Sequence, residues 1–371
     1  MPRETAVLAV LARLARIPIA LRPAAPFVRP RKVLILKPDS LSQVMLTTPL
    51  LAALSNAFPD ARFDWAISDW ARPAIATNPR VTELIRTGPG GLDGLTWSEV
   101  RALAARLRRK SYDTCFIPSR SAVLAYVAWR ADIPQRVGLN VSGRGFAHTT
   151  AVTPPATVRH ASAVYLSLAG AVGIDRQESG RCGMEFYPPD ADRTRITRRL
   201  IDELGWLGDV PLVVVHPGGG VNPVYTVPEK RWPAERFSLL CNDLVRRFRA
   251  RILLIGDDRD RPLAEAIAGM VHVPVTNWAG QVSLGEVGAV SEMASLYIGN
   301  DAGPTHVAAA VGCPTLVLFG PSDPPISAPC VAGGRVKVLW HELGGRPFSW
   351  RNGVTVEEAV EAAASLLSGE A

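Results

Sequence analysis

Four strand-to-helix loops in this 371-residue chain hold residue types suited to phosphate and proton chemistry. The richest is residues 298–324, IGNDAGPTHVAAAVGCPTLVLFGPSDP. An apolar run ends near Asn300, Asp301 and Gly303 turn the chain, and Pro304 stands where the first turn of a helix tolerates proline. The small residues Ala308, Ala309 and Ala310 let a helix approach the sheet, or a ligand approach the backbone. Free N–H groups at a helix start, together with the helix dipole, favour a phosphate, and His306 lies in that first turn. A plainer reading stays open: Asp301 caps the helix and His306 is a buried polar side chain.

The second loop is residues 213–233, VVVHPGGGVNPVYTVPEKRWP. His216 and Pro217 lead into Gly218, Gly219 and Gly220, which allow close approach of backbone to a ligand. The string is neither a dinucleotide fingerprint nor a Walker loop. Lys230 precedes Trp232 and Pro233, and Pro233 opens an expected helix over 234–249. A lysine there suits a diphosphate, whose leaving charge a compact cation offsets; the competing reading is a solvated lysine beside a packed tryptophan. The third loop carries Asp258-Arg259-Asp260. Such a pair of carboxylates can hold a divalent metal, but no second carboxylate cluster lies nearby, so helix capping by Asp260 or a hydroxyl contact from Asp258 is preferred. The fourth, residues 36–54, sets Asp39, Ser40, Ser42 and Gln43 at the mouth of a first sheet. Asp39 is there either a general base or a turn residue after Pro38.

The elements that must position these loops alternate in type. Apolar runs at 33–36, 64–68, 83–87 and 112–118 alternate with expected helices at 43–57, 97–110 and 120–131. FYPPDADR (186–193) reads as a linker or the start of a linking helix. A second series follows, with runs at 211–216, 251–256, 273–278, 295–300 and 314–320 and helices at 234–249, 260–270, 284–293 and 303–311. This is the pattern of parallel sheets wrapped by helices, and such sheets bind ligands beyond the carboxyl ends of their strands. The fold class expected is therefore α/β with two domains that face each other across a cleft.

Composition narrows the function. A hydrophobic content of 47% excludes disorder. The absence of any run of about 18 uncharged apolar residues argues against a polytopic membrane protein. Five scattered cysteines with no C-x-x-C pair suit neither a disulfide framework nor a cysteine zinc site, and fit a reducing cytosol. The net charge of +7 favours anionic partners, nucleic acid least, because the basic residues are dispersed. Residues 5–21, TAVLAVLARLARIPIAL, are too short and too charged to span a bilayer. With Arg22, Arg29, Arg31 and Lys32 behind them they read as an interfacial helix on anionic lipid, or as a helix packed on the chain's own body.

Together the four loops resemble glycosyltransferase family 9, the ADP-heptose:lipopolysaccharide heptosyltransferase family. The resemblance runs from about residue 32 to the C-terminus and is most specific in 298–324, with HPGGG and KRWP; YDTCFIPSRSA, QRVGLN and NPRVTELI also fit. It implies a GT-B fold of two Rossmann-like domains. A basic amphipathic extension (1–31) precedes an acceptor domain (32–188), and a nucleotide-sugar donor domain (189–350) precedes a C-terminal helix (351–371) expected to pack back on the acceptor domain. It further implies inverting, metal-independent transfer of a heptose or related sugar from a nucleotide diphosphate sugar, ADP-heptose foremost. The acceptor would be a lipopolysaccharide-like or other cell-surface glycan or glycolipid, with no cofactor beyond that co-substrate. A cytoplasmic location follows, peripheral on the inner face of the cytoplasmic membrane. By this likeness Lys230 contacts the diphosphate with Thr226 just upstream, and Gly218 belongs to the donor loop. Asp301, Ala302, Gly303 and His306 line the sugar and phosphate pocket, and Asp258 holds the ribose.

The chain departs from the family in its first loop. Leu41-Ser42-Gln43 stands where the family has Leu-Gly-Asp, whose Asp is the proposed base, and Ala302 stands where many members have Thr. A glutamine amide does not take up a proton near neutral pH. Either Asp39 takes the role, or the acceptor is activated otherwise, or the chain is a weak or inactive nucleotide-sugar-binding protein of glycan assembly. An epimerase of nucleotide sugars is disfavoured, because no dinucleotide fingerprint and no Tyr-x-x-x-Lys pair is present.

Overall fold

The computed structural model describes residues 26–91, 95–221, 225–345 and 347–369. The expected helix at 5–21 and Arg22 lie outside the described residues. The chain divides into two units, Met1–Gly183 and Met184–Ala371. No helix among the described residues is long and apolar enough to cross a membrane.

The first unit is built on strands β1 (Lys32–Leu36), β2 (Arg62–Ile67), β3 (Glu83–Arg86), β4 (Thr114–Ile117), β5 (Gln135–Leu139) and β6 (Thr150–Val152). They form one parallel sheet in the order β3-β2-β1-β4-β5-β6. A sheet covered on both faces needs apolar residues at every position rather than at alternate ones; in β1, Val33, Leu34, Ile35 and Leu36 are all 0% exposed. Helices α1 (Leu41–Met45) and α2 (Thr48–Ala57) follow β1, α3 (Trp97–Arg108) follows β3, α4 (Ala122–Arg130) follows β4, and α5 (Ala161–Gly170) and α6 (Arg176–Gly180) close the unit. Helix α3 begins with a reciprocal cap in which Thr96 and Glu99 satisfy each other's backbone N–H. Leu103 and Leu107 of α3 and Leu124 and Val127 of α4 pack over Leu34, Leu36 and Ile117.

The expected helix 43–57 is interrupted. Pro49 has no N–H to offer the Met45 carbonyl and its ring crowds that carbonyl. The hydroxyls of Thr48 and Thr47 donate to Met45 O and Gln43 O instead, at 2.8 and 2.7 Å. The short strands β5 and β6 were not expected: QRVGL carries an arginine and a glycine, and TAV is brief. His148 lies buried against β5, filling the space where a side chain at Gly138 would stand, 2.4 Å from its Nε2. Burial first, and the Arg136 charge second, push this imidazole down to about 4, with a backbone contact at Leu139 opposing.

The second unit opens with α7 (Asp190–Leu204), so the 186–193 segment runs into a helix of this unit. Strands β7 (Leu212–His216), β8 (Arg251–Leu254), β9 (Val275–Asn277), β10 (Leu296–Asn300), β11 (Thr315–Leu318) and β12 (Val336–Leu339) form a parallel sheet in the order β12-β11-β10-β7-β8-β9. Between them run α8 (Ala234–Phe248), α9 (Arg261–Met270), α10 (Leu284–Met293), α11 (Gly303–Ala310) and α12 (Pro324–Ser327). The C-terminal helix, expected to pack on the first domain, is α13 (Val356–Ser368), and it buries its apolar face in its own unit. Val360, Ala363 and Leu366 join the core formed by Phe237, Leu240 and Leu244 of α8 with Ile298 and Leu316 of the sheet. Ile196 and Leu200 of α7 with Val287 and Val290 of α10 cover the opposite face, against Leu212 and Val214 of β7 and Tyr297 of β10.

Both sheets reverse their strand order at the same place, beside the first strand. In the first unit β1 lies between β2 and β4; in the second, β7 lies between β8 and β10. At such a point adjacent crossovers leave in opposite directions and open a crevice beyond the carboxyl ends. The loop holding Asp39 follows β1, the glycine loop follows β7, and the Asp301 turn follows β10.

Candidate functional site

In the second unit, pairing of β7 with β10 brings two sequence-distant loops together, and Asn300 laces them. Its buried amide Nδ2 donates to Pro217 O and Gly218 O at 2.8 and 3.0 Å, while Oδ1 accepts from Trp232 N at 3.0 Å. Trp232 is 1% exposed, packs edge-on against Phe237 with centroids 5.0 Å apart, and donates through Nε1 to Val354 O. This anchored indole fixes the backbone that carries Lys230. The glycine loop is squeezed between neighbours of its own chain. Gly219 and Gly220 take φ of +108° and +73°, and a Cβ at Gly219 would stand 2.8 Å from the Ala302 methyl. A Cβ at Gly218 would collide with the Asp260 carboxylate.

The Lys230 ammonium donates to Asp301 Oδ2 at 2.6 Å across 71 residues of sequence. It also lies 5.6 Å from the centre of the Tyr225 ring. Asp301 does not cap α11: the cap position is Ala302, which offers no side-chain bond, so Gly303, Pro304 and Thr305 begin the helix without one. Thr226 is exposed and bridges back to Val221. His306 is 0% exposed, with Nδ1 and Nε2 each 3.0 Å from a carbonyl oxygen, of Ala302 and Ser327. Its ring therefore shapes the turn from behind rather than offering a nitrogen to solvent.

The Asp258-Arg259-Asp260 loop does not converge on one point. Asp258 is exposed and pairs with Arg261. Asp260 holds the cap position of α9 but makes no cap bond. Its buried carboxylate instead receives Arg231 at 2.8 Å and His216 Nε2 at 3.4 Å. Burial alone would raise its pKa, yet His216 and Arg231 outweigh that and hold it below the usual carboxylate range. The preferred capping reading of Asp260 is thus replaced by an internal tie between the glycine loop and the KRWP segment; Arg231 also donates to Gly219 O at 2.8 Å. Among the described residues no group of three or more His, Cys, Asp or Glu side chains could hold a metal ion.

In the first unit the Asp39 loop contains a network that the sequence reading did not contain. Lys37, 2% exposed, directs its ammonium to three acceptors: Pro118 O at 2.9 Å, the Tyr165 hydroxyl at 3.0 Å and Asp39 Oδ2 at 3.1 Å. The Tyr165 hydroxyl in turn donates to Gln43 Oε1. Burial works against the Lys37 charge, but Asp39 and Tyr165 outweigh it and hold the ammonium above its ordinary value. Burial likewise would raise Asp39, but Lys37 and the Ser40 N–H at 2.8 Å keep it below the usual carboxylate range. More than a third of the Asp39 side chain stays exposed. Lys37 passed unnoticed because a lysine after a strand reads as a solvated end, and Tyr165 lies 122 residues from Gln43 with no local signal.

Comparisons with known proteins place the chain by family and fold. Lipopolysaccharide heptosyltransferase 2 of Escherichia coli K12 is 26% identical over 310 residues, covering 82% of this chain and 87% of that protein. The crystal structure of a family 9 glycosyltransferase from Veillonella parvula superposes with a TM-score of 0.77 at 22% identity, covering 91% of this chain and 97% of that one. The E. coli ADP-heptose lps heptosyltransferase II structure gives 0.74 at 23% identity, covering 91% and 99%. These likenesses establish the GT-B fold, with a Rossmann-like sheet in each unit. The family profile described as glycosyltransferase family 9 (heptosyltransferase) matches residues 100–344, well over half of the chain. The chain therefore belongs to glycosyltransferase family 9, the heptosyltransferases, a family of sugar-transferring enzymes.

Proposed function

We propose that this protein transfers a heptose from ADP-heptose to a lipopolysaccharide core acceptor, with inversion at the anomeric carbon and without a metal ion. The observation that carries the reading is the Lys230–Asp301 contact of 2.6 Å, which sets an ammonium beside the uncapped start of α11. A diphosphate seated there meets the helix N–H groups and the lysine together. The acceptor hydroxyl oxygen attacks the anomeric carbon on the face opposite the diphosphate and its proton passes to a base. The bond from carbon to the β-phosphate oxygen breaks, and ADP leaves with its charge met by Lys230 and the amides. We assign the base to Asp39, whose carboxylate stays ionised through Lys37. In the same reading Thr226 and Gly218 border the diphosphate, Ala302, Gly303 and His306 shape the turn around it, and Asp258 meets the ribose. The protein would act at the cytoplasmic face of the inner membrane, where such an acceptor is presented.

The test is ADP release and product mass with purified protein, ADP-heptose and a heptose-deficient lipopolysaccharide, with and without EDTA. Transfer that survives EDTA and yields the inverted linkage supports the reading; no turnover with this pair sinks it. A second reading, a nucleotide-sugar-binding protein with little turnover, is favoured by one observation: the family's base position is an amide already engaged by Tyr165. It predicts ADP-heptose binding by calorimetry without transfer, and turnover gained in Gln43→Asp.

A further inference from the structure

The direction of each hydrogen bond around Lys37 is forced by chemistry. An ammonium can only donate, so the Tyr165 hydroxyl, 3.0 Å from Lys37 Nζ, must accept there. Its own proton then goes to the remaining neighbour, the Gln43 side chain, which must receive it on the carbonyl oxygen Oε1. The Gln43 Nε2 amide is consequently turned away from the network and has no protein partner among the described residues. We propose that Gln43 is a specificity-determining residue for the acceptor: its Nε2 donates a hydrogen bond to an acceptor oxygen, a hydroxyl or carboxylate, and the Tyr165–Lys37 pair fixes that orientation.

This inference rests on the reading of the chain as a sugar transferase and deepens it. The two jobs of an acceptor subsite are then split. Asp39 takes the proton, and Gln43, four residues on and across one turn of chain, holds the oxygen by donation. A carboxylate at residue 43 could not do the second job, because it has no proton to give near neutral pH. The substitution thus converts the position from an acceptor to a donor of hydrogen bonds, and selects an acceptor that presents a lone pair to it. Tyr165 is a positioning residue, buried to 8% exposure and reaching Gln43 from α5.

The experiment is steady-state kinetics of wild type, Gln43→Glu and Tyr165→Phe, with donor and lipopolysaccharide acceptor varied separately, ADP affinity measured by calorimetry, and thermal unfolding followed by circular dichroism as a check on the fold. Gln43→Glu is nearly isosteric but replaces the donating amide by oxygen. A lost hydrogen bond of about 1.4 kcal/mol corresponds to about tenfold. The expected result is a rise of about tenfold in acceptor KM for both variants, with kcat within about threefold and ADP affinity unchanged. An unchanged acceptor KM in both variants, or a kcat that rises in Gln43→Glu because a base has been restored, overturns the inference. If the wild type itself transfers nothing, the underlying reading fails instead, so the two failures are distinguishable. Should Tyr165→Phe fail to unfold cooperatively as the wild type does, Gln43→Glu alone decides.

Discussion

Each unit holds a lysine–aspartate pair at the reversal point of its sheet, and the two pairs are mirror images in what they show to solvent. In the first, the lysine is hidden and the carboxylate presented: side-chain exposures are 2% for Lys37 and 38% for Asp39. In the second, Lys230 is the more open member, at 16% against 5% for Asp301. The distances are similar, 3.1 and 2.6 Å. One kind of ion pair is therefore suited to two opposite tasks. A buried cation keeps an accessible anion charged, which suits proton uptake; a buried anion fixes an accessible cation, which suits a leaving diphosphate. Neither pair is read as a stability device, since a desolvated pair gains little over apolar packing.

Substitutions at the presented members break this comparison most strongly. On the proposed assignment of the base, Asp39→Asn removes the proton acceptor while keeping shape, and turnover should fall about 10²–10⁴-fold with ADP affinity intact by calorimetry. Loss of ADP affinity together with turnover would contradict the division between units. Lys230→Met should reduce kcat by about 10²–10³-fold and weaken ADP binding as well, which stopped-flow ADP release and calorimetry read separately. Equal behaviour of the two variants in ADP binding would erase the contrast.

The hidden members sharpen it through pH. Asp39 is held low in the folded protein, so its basic form persists into acid, and with Asp39 as the proposed base the rate should persist with it. Lys37→Met leaves the burial and removes the charge, so the acid limb of kcat/KM should move to higher pH, with the largest loss near pH 5 and the smallest near pH 8. A limb that stays in place would remove Lys37 from the account. The smallest effect expected concerns stability. His148 is pushed down to about 4 in the fold, so the unfolded chain binds the extra proton first, below its ordinary pKa of about 6.5. Stability of the first unit is then full above that value and declines as pH falls toward 4. Between pH 7 and 5 the loss is on the order of 2 kcal/mol. Thermal unfolding at the two pH values should show it, and His148→Gln should flatten the dependence.

How much of this was legible in the sequence depended on distance along the chain. The alternation of apolar runs and helical periods gave the two sheets, because strands covered on both faces are apolar throughout, as in VLIL and LVVVH. Where a strand was short or carried glycine and arginine, as in β5, β6 and β12, the signal failed. The loops read as holding a donor stood out because Asp301, Gly303 and His306 fall within six residues, and Lys230 lies two residues before an anchoring tryptophan. Their mutual contact spans 71 residues and only strand order creates it. Asp260 was misread as a cap because a helix start offers a nearer partner than His216, which β7 and not the local sequence brings up. Tyr165 had no signal at all; its role follows from a helix late in the first unit folding back on the first loop.

The Asn300 amide has a further consequence. It offers two protons to two carbonyls and one oxygen to an N–H, a combination that no other side chain of that length reproduces. Aspartate would press negative charge against two oxygens, and leucine would strand three polar groups out of water. Three stretches of chain thus share one fastener, and none of them can drift, lengthen or be exchanged without the others. A change in which sugar is taken is accordingly expected at the margins of this knot rather than within it.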